Sequence, residues 1–347
     1  MFDSTWTQYL RCPCCGGTLQ PTASGRDDHP NSQINCSSCN RIYPIYNRVP
    51  ILLTEPTSHE KKTQELYSDI WRGYSPPRRK LHKGYQAPAT SHLDLLKRAS
   101  GTELVQGQIG VDAGCGSGSS AISLALQYPG IKFIGIDLSR GIIETKHHPA
   151  STSNVCFIQG NLMSPPLAKL SFDFVYSFGV LHHTRDPFHA FLELVKLLRP
   201  GGRITVFVYK DFSDLRLKKF LLWPVSQIRR ITTKLPPFFL KLLAWFFAPF
   251  VFLLLTLPAR LFRQIGMDRL AQHIPYGIFP HITGIASSLE DRFGAPYEFR
   301  FSIRDLEKWA LSVGLVNTHI VDCLPWGFSG LVLSGITANN DPAQPDV

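Results

Sequence analysis

QIGVDAGCGSGSSAISLALQYPGIKFIGIDLS, residues 108–139, reads as strand, glycine loop, helix and second strand. The apolar run Ile109 to Val111 enters Gly114-Cys115-Gly116-Ser117-Gly118, and an amphipathic helix follows. Glycines in such a loop let the backbone approach a ligand closely and open the helix N-terminus toward it. The second strand, Lys132 to Ile136, ends in Asp137, nineteen residues after Gly118. An acid at that strand end is placed to accept hydrogen bonds from ribose hydroxyls. The unit therefore predicts an α/β sheet with a ligand at its strand ends. A glycine turn with a distant acid is a weak signal alone, because dinucleotide enzymes use the same device. The spacing here is GxGxG, preceded by Asp112, and differs from the GxGxxG dinucleotide fingerprint.

Three further segments follow in order: Gln159-Gly160-Asn161, SFDFVYSFGVLHHTRDP (171–187) and LLRPGGRITVFVY (197–209). With the glycine loop they cover roughly residues 105 to 210. Together they resemble the class I S-adenosylmethionine-dependent methyltransferases, the branch acting mostly on small molecules. The resemblance implies a Rossmann-like α/β sheet with helices on both faces, and S-adenosylmethionine as cofactor. It places Asp112, Gly114, Gly116 and Gly118 along the methionine and ribose end, Asp137 on the ribose diol and Leu138 on the adenine. Asn161 stands where the family usually has an aspartate, and its amide oxygen can likewise accept from the adenine amino group. Ser177, Phe178 and Gly179 would floor the site beside the sulfonium. Asp173 and Pro200-Gly201-Gly202 read as structural, the first orienting a strand and the second turning into the fifth strand of the core.

Methyl transfer from a sulfonium is an in-line displacement on an activated carbon. The protein must hold nucleophile, methyl and sulfur collinear and exclude water. A general base is needed only where the acceptor arrives protonated. His182 and His183 follow the fourth strand of the core, at the edge where acceptor meets methyl group, and are the first candidates for that base. One of the two is expected to be a packed, hydrogen-bonded residue. Tyr209, ending the fifth strand, and His281 are weaker candidates. No metal-binding set is visible in this part of the chain.

The eight cysteines are distributed unevenly, five of them within the first 40 residues. Cys12-Pro-Cys-Cys15 and Cys36-Ser-Ser-Cys39 form two CxxC pairs separated by twenty residues. Each CxxC turn presents two thiolates along a tetrahedral edge, and two such turns complete a closed Cys₄ zinc site. Structural zinc on Cys12, Cys15, Cys36 and Cys39 is the expectation, with redox-active cysteines as the rival. Cys14 is the odd one, open to exchange with Cys15. The pattern LRCPCCGGTL…CSSCNRIYPIYNRVPILL, roughly residues 8 to 54, also resembles the zinc-ribbon activators of methyltransferases. It carries the four cysteines, Tyr43-Pro44-Ile45 and Val49-Pro50-Ile51-Leu52-Leu53. A plainer reading makes YPIYNRVPILL two edge strands closing a small core. The N-terminus shows no basic segment followed by an apolar one, and clustered cysteines suit a reducing compartment, so a cytoplasmic protein is expected.

With 347 residues, 44% hydrophobic and 18% charged, the chain is folded rather than generally disordered. The sequence divides into a zinc ribbon (1–54), a polar, partly helical connector (55–100), the cofactor-binding core (101–212), an insertion after the fifth strand (213–300), the end of the core (301–338) and a tail (339–347). Residues 301–315 read as a helix, and 315–323 and 331–338 as the last two strands. The insertion breaks the family pattern. It is uncharged from Leu242 to Ala259, and between 213 and 270 ten basic residues stand against only Asp214 and Asp268. The net charge of +10 is therefore mostly local. Eighteen uncharged residues reach the lower edge of a bilayer span. A single crossing would strand the last two strands on the wrong side of the membrane. Pro249, within Pro236, Pro237 and Pro258, favours two short helices. The expected arrangements are a hairpin on an anionic membrane surface, peripheral on its inner face, or an apolar wall over the substrate pocket.

The leading expectation is a methyltransferase acting on a small, lipophilic or lipid-linked acceptor. The alternative is an rRNA or tRNA methyltransferase that binds RNA through the ribbon and the basic insertion. An RNA surface interleaves charge with a few stacking aromatics, which an eighteen-residue uncharged run does not do.

Overall fold

The computed structural model describes residues 2–21, 32–73, 104–144, 153–213, 216–271, 273–277, 279, 281–323 and 330–338. Residues 74–100 of the expected connector and the tail 339–347 lie outside the described residues.

Eleven strands among the described residues form one mixed sheet, ordered β1-β2-β3-β4-β7-β6-β5-β8-β9-β11-β10. Its centre is parallel: β7 (Val155–Gly160), β6 (Lys132–Asp137), β5 (Ile109–Ala113), β8 (Phe172–Phe178) and β9 (Leu198–Tyr209). All five residues of β5 are buried, as a strand covered by helices on both faces requires. The far edge is antiparallel, β11 (Gly330–Thr337) lying between β9 and β10 (Leu315–Asp322). Asp173 ties the centre together: its Oδ2 accepts the Ile109 amide at 2.7 Å, and it pairs with Arg199. The stretch Pro200-Gly201-Gly202 lies near the start of β9.

At the other edge the cysteine-bearing segment joins the main sheet. Strands β1 (Leu19–Pro21), β2 (Gln33–Cys36), β3 (Ile42–Tyr46) and β4 (Val49–Leu52) run antiparallel in sequence order. Then β4 pairs in parallel with β7, Ile51 opposite Gln159 and Leu52 opposite Gly160. YPIYNRVPILL does form two strands, as the plainer reading expects, but β3 and β4 lie inside the sheet order rather than at its edge. Leu10, Ile34, Tyr43 and Leu52 belong to one continuous apolar cluster with Val111, Ile136 and Phe172. Burying an edge strand against a neighbouring one satisfies backbone groups that would otherwise face water.

The expected connector contains α1 (Ser58–Gly73), whose Leu66 and Ile70 pack with Leu240 and Ala295 of the insertion. Helices α2 (Ser119–Gln127) and α3 (Gly141–Glu144) follow β5 and β6, and α4 (Pro187–Val195) precedes β9. The insertion supplies α5 (Arg216–Thr232), α6 (Pro237–Val251), α7 (Leu257–Gln264), α8 (Asp268–Ala271) and α9 (Ile282–Gly294). Then α10 (Ile303–Ser312), started by a Ser302/Asp305 capping box, leads to the last two strands.

Two short helices broken at Pro249 do not form. A π-helical turn, Phe252–Thr256, joins α6 to α7, giving one helix of 28 residues, Pro237–Gln264. The Leu257 amide there bonds the Phe252 carbonyl, five residues back. Pro258 offers no N–H to the Leu254 carbonyl and crowds it, and the wider turn just before it absorbs that mismatch without a break. Ala244 and Ala248, one turn apart, bury against Ile285, Ala286 and Leu289 of α9. Small residues let the two helices approach closely. The remaining faces of the long helix carry exposed Phe238, Trp245, Phe246, Phe250 and Leu254.

Candidate active site

A cavity of about 420 Å³ opens at the C-terminal ends of β5, β6 and β8. Its floor is the loop from β5 to α2. Gly114, Gly116 and Gly118 have φ of +86°, +58° and +76°, a region that side chains occupy only under strain. A Cβ on Gly114 would lie 2.2 Å from the Val180 side chain, and one on Gly116 would lie 2.5 Å from the Trp71 ring. The loop is held by Asp137 at the end of β6. Its Oδ2 accepts the Gly116 amide and its Oδ1 the Ser139 amide, both at 2.7 Å. Burial raises the proton affinity of this carboxyl, and those amides oppose the rise.

Asp112 is buried two residues before the loop, and its Oδ2 has no hydrogen-bond partner. Burial first, and then the nearby Asp137 charge, push its pKa up to about 7, against the favourable influence of Tyr176. An enclosed carboxylate oxygen with nothing to accept is a place for a cation. The residues thus fit a cofactor bearing an ammonium and a sulfonium.

Leu138 and Asn161 line the adjoining wall with Glu60, Leu162 and Met163. Asn161 donates to Glu60 Oε1 at 2.6 Å, and its Oδ1 accepts the Met163 amide at 3.0 Å, leaving that oxygen one lone pair. Burial would raise the Glu60 pKa, but hydrogen bonds from Thr57 and Asn161 hold it below its usual value. Phe178 and Gly179 line the cavity too, whereas Ser177 lies behind it, donating to the Ala113 carbonyl at 2.8 Å. Gly116 and Gly118 sit behind the lining as well.

The candidate bases separate. His182 is fully buried away from the cavity, stacked 3.7 Å from the Tyr209 ring, with neither ring nitrogen hydrogen-bonded. Burial holds it neutral. Tyr209 also lies off the lining, its hydroxyl donating to Asp291 Oδ2 at 3.2 Å. His281 is the N-cap position of α9 and does not reach the cavity. His183 does line it, with Nδ1 2.8 Å from the Tyr297 carbonyl oxygen and Nε2 3.4 Å from Asp291 Oδ1.

Sequence reasoning missed Tyr67 and Trp71 on α1, and Ser287, Ser288 and Asp291 on α9, all of which line the cavity. Tyr67 donates to Asp291 at 2.6 Å across 224 positions of sequence. No local pattern marks such a pair. None of the apolar run 242–259 lines the cavity; it backs α9, which does.

At the opposite sheet edge the Sγ atoms of Cys12, Cys15, Cys36 and Cys39 lie within 4.8 Å of one another. Cys14 is exposed and outside this group, whereas Cys15 lies within it. The Cys39 and Ser38 amides draw the Cys36 thiol down to about 6 against the effect of burial. Tyr43 Oη is 3.0 Å from Cys12 Sγ, suited to donate to a thiolate. Four converging thiols with no open position fit a structural metal ion rather than a catalytic one.

Residues 111–206 match a family described as a methyltransferase domain. An uncharacterised Synechococcus protein is 32% identical over 113 residues, covering 31% of this chain and 27% of that protein. The 27-O-demethylrifamycin SV methyltransferase of Amycolatopsis mediterranei is 29% identical over 44% of this chain and 60% of its own length. The demethylmenaquinone methyltransferase of Lactococcus lactis is 27% identical over 47% of this chain and 68% of its own. The likeness thus spans between about a quarter and two thirds of these relatives' own length. The chain carries a class I, S-adenosylmethionine-dependent methyltransferase domain.

Proposed function

We propose that the protein methylates a small, lipophilic or lipid-linked acceptor that it takes from an anionic membrane surface. One observation carries this reading. The wall facing the cofactor loop is α9, and behind α9 lies a helix whose apolar side chains are mostly exposed. Phe246 and Leu254 are 60% and 68% exposed, an arrangement that water disfavours and an acyl boundary accommodates. The names of the demethylmenaquinone and 27-O-demethylrifamycin SV methyltransferases agree with an apolar acceptor.

Bound S-adenosylmethionine supplies a methyl carbon on a positively charged sulfur. Asp112 would balance that cation, Asp137, which holds the Gly116 amide, would take the ribose hydroxyls, and Leu138 and Asn161 would enclose the adenine. Trp71 and α9 line the cavity, and apolar and packed walls of that kind limit the water that reaches a bound methyl group. A zinc ion on the four cysteines would fix the β1–β4 edge without touching the reaction.

The RNA reading is weaker. Arg229, Arg260 and Arg263 are tied to the carbonyls of Ala295, Phe279 and Gly277, so part of the basic insertion serves its own packing. The deciding experiment incubates purified protein and source-cell extract with cofactor carrying a labelled methyl group, then separates organic-soluble, aqueous small-molecule, RNA and protein fractions. Label is expected in the organic fraction. Label confined to RNA or protein would replace this proposal.

A further inference from the structure

The carboxylate of Asp291 is reached from three other elements. Tyr67 of α1 donates to its Oδ1 at 2.6 Å, Tyr209 at the end of β9 donates to its Oδ2 at 3.2 Å, and His183 Nε2 lies 3.4 Å from Oδ1. His183 Nδ1 faces the Tyr297 carbonyl at 2.8 Å, and a carbonyl only accepts. Nδ1 therefore carries a proton, so in the neutral form of the ring Nε2 is the bare nitrogen, and it faces Asp291. Both side chains border the cavity, but that nitrogen has no hydrogen-bond partner, and the His183 side chain is 5% exposed against 20% for Asp291. The carboxylate is therefore the more accessible of the two to an incoming acceptor.

Resting on the methyl-transfer reading of this cavity, we propose that Asp291 is the catalytic base, with His183 behind it as the store for the proton. The acceptor is then a hydroxyl compound acidic enough for a carboxylate–imidazole pair, a phenol or enol rather than an aliphatic alcohol. The acceptor O–H bond breaks toward Asp291, and the oxygen pair forms the new bond to the methyl carbon. The carbon–sulfur pair leaves with sulfur as a neutral thioether. The proton passes from Asp291 to His183 Nε2, leaving an imidazolium beside a carboxylate, and is later released to water. Tyr67 and Tyr209 are positioning residues: each occupies one lone pair of Asp291 and leaves the others to the acceptor. The groups facing His183 are Asp291, Tyr67, Tyr209 and the adjoining His182, with Glu298, Arg292 and Arg300 further out.

Two measurements on the full-length protein test this. The first follows the His183 ring by NMR with isotope-labelled histidine, in wild type, Asp291→Asn and Tyr67→Phe. In wild type the Nδ1 signal should be that of a protonated ring nitrogen and the Nε2 signal that of a bare one, and Asp291→Asn, which replaces the facing carboxylate, should change the Nε2 signal more than Tyr67→Phe, which keeps it. An unchanged Nε2 signal in a folded Asp291→Asn protein overturns the pairing. The second compares methylation of a weakly acidic alkylphenol and of a nitrophenol already ionised at the assay pH. Asp291→Asn should lose about 10²–10⁴-fold in kcat on the first and less than about tenfold on the second. Equal losses on both, or neither phenol accepted by wild type, would overturn the base role. The labelled-extract experiment judges the methyl-transfer reading separately.

Discussion

Asp112 is a charge buried without an answer until a cation arrives. Its ordinary value of 3.8 is raised to about 7 by burial. A carboxyl whose folded value is raised favours folding below its unfolded value and loses that contribution as pH rises through the folded one. In the absence of cofactor, Asp112 thus costs stability increasingly from about pH 4 to pH 7. Cofactor binding reverses the sign, since the ionised form now faces a sulfonium and an ammonium. We expect the rise in Tm on adding S-adenosylmethionine to be larger near pH 8 than near pH 6, with Asp112→Asn erasing the difference. Thermal denaturation with and without cofactor measures it, and a pH-independent rise in wild type would refute the assignment. The glycine loop and Asp137 were legible in sequence because a strand end, a turn and an acid are set by neighbours in the chain. Asp291 and Tyr67 were not, because their meeting depends on how α1 and α9 cross above the sheet.

At the scale of elements, the ribbon's last strand is also a strand of the catalytic sheet. β4 lies beside β7, whose last residue, Gly160, immediately precedes Asn161. Asn47, in the turn before β4, donates to the Ile143 carbonyl of α3 at 2.9 Å, a second tie between the two parts. A metal that fixes the cysteine turns should therefore also steady the adenine wall. Cys36→Ser is expected to lose bound zinc and lower Tm by about 5 °C or more, roughly 2 kcal/mol. It should also weaken cofactor binding a few-fold. Metal analysis, denaturation and calorimetric titration of the cofactor check this together. A zinc-free variant with unchanged stability would contradict a structural role. The CxxC spacing made the four ligands legible, but nothing local in YPIYNRVPILL states which strand β4 will pair with.

For the whole molecule, the long helix Pro237–Gln264 distributes burial unequally. Its alanines meet α9, and its aromatic and leucine side chains face outward. Exposed apolar area of that kind gains roughly 25 cal/mol per Å² when covered, and nearby Lys and Arg add attraction to anionic lipid. We expect the protein to bind anionic vesicles, keeping part of that binding at high salt because apolar burial is not screened. Phe246→Glu with Leu254→Glu should abolish the salt-resistant part without disturbing cofactor affinity. Vesicle co-sedimentation across salt concentrations measures this, and undiminished binding by the double variant would exclude the helix as the contact.

By itself the sequence determined the α/β core, the glycine loop with its acid, the four-cysteine cluster and the location of the apolar basic insertion. All of these are written in short-range spacing, apolar runs or charge counts. Tertiary structure alone decided that the ribbon shares the main sheet and core. It also carried the helix past Pro249 and Pro258, put His182 in the core with His183 at the cavity, and brought Tyr67 and Asp291 together from positions 224 apart. Such outcomes follow from which faces pack and which strand edges pair. That is a balance of burial and backbone hydrogen bonding over the whole chain, and no window of sequence contains it.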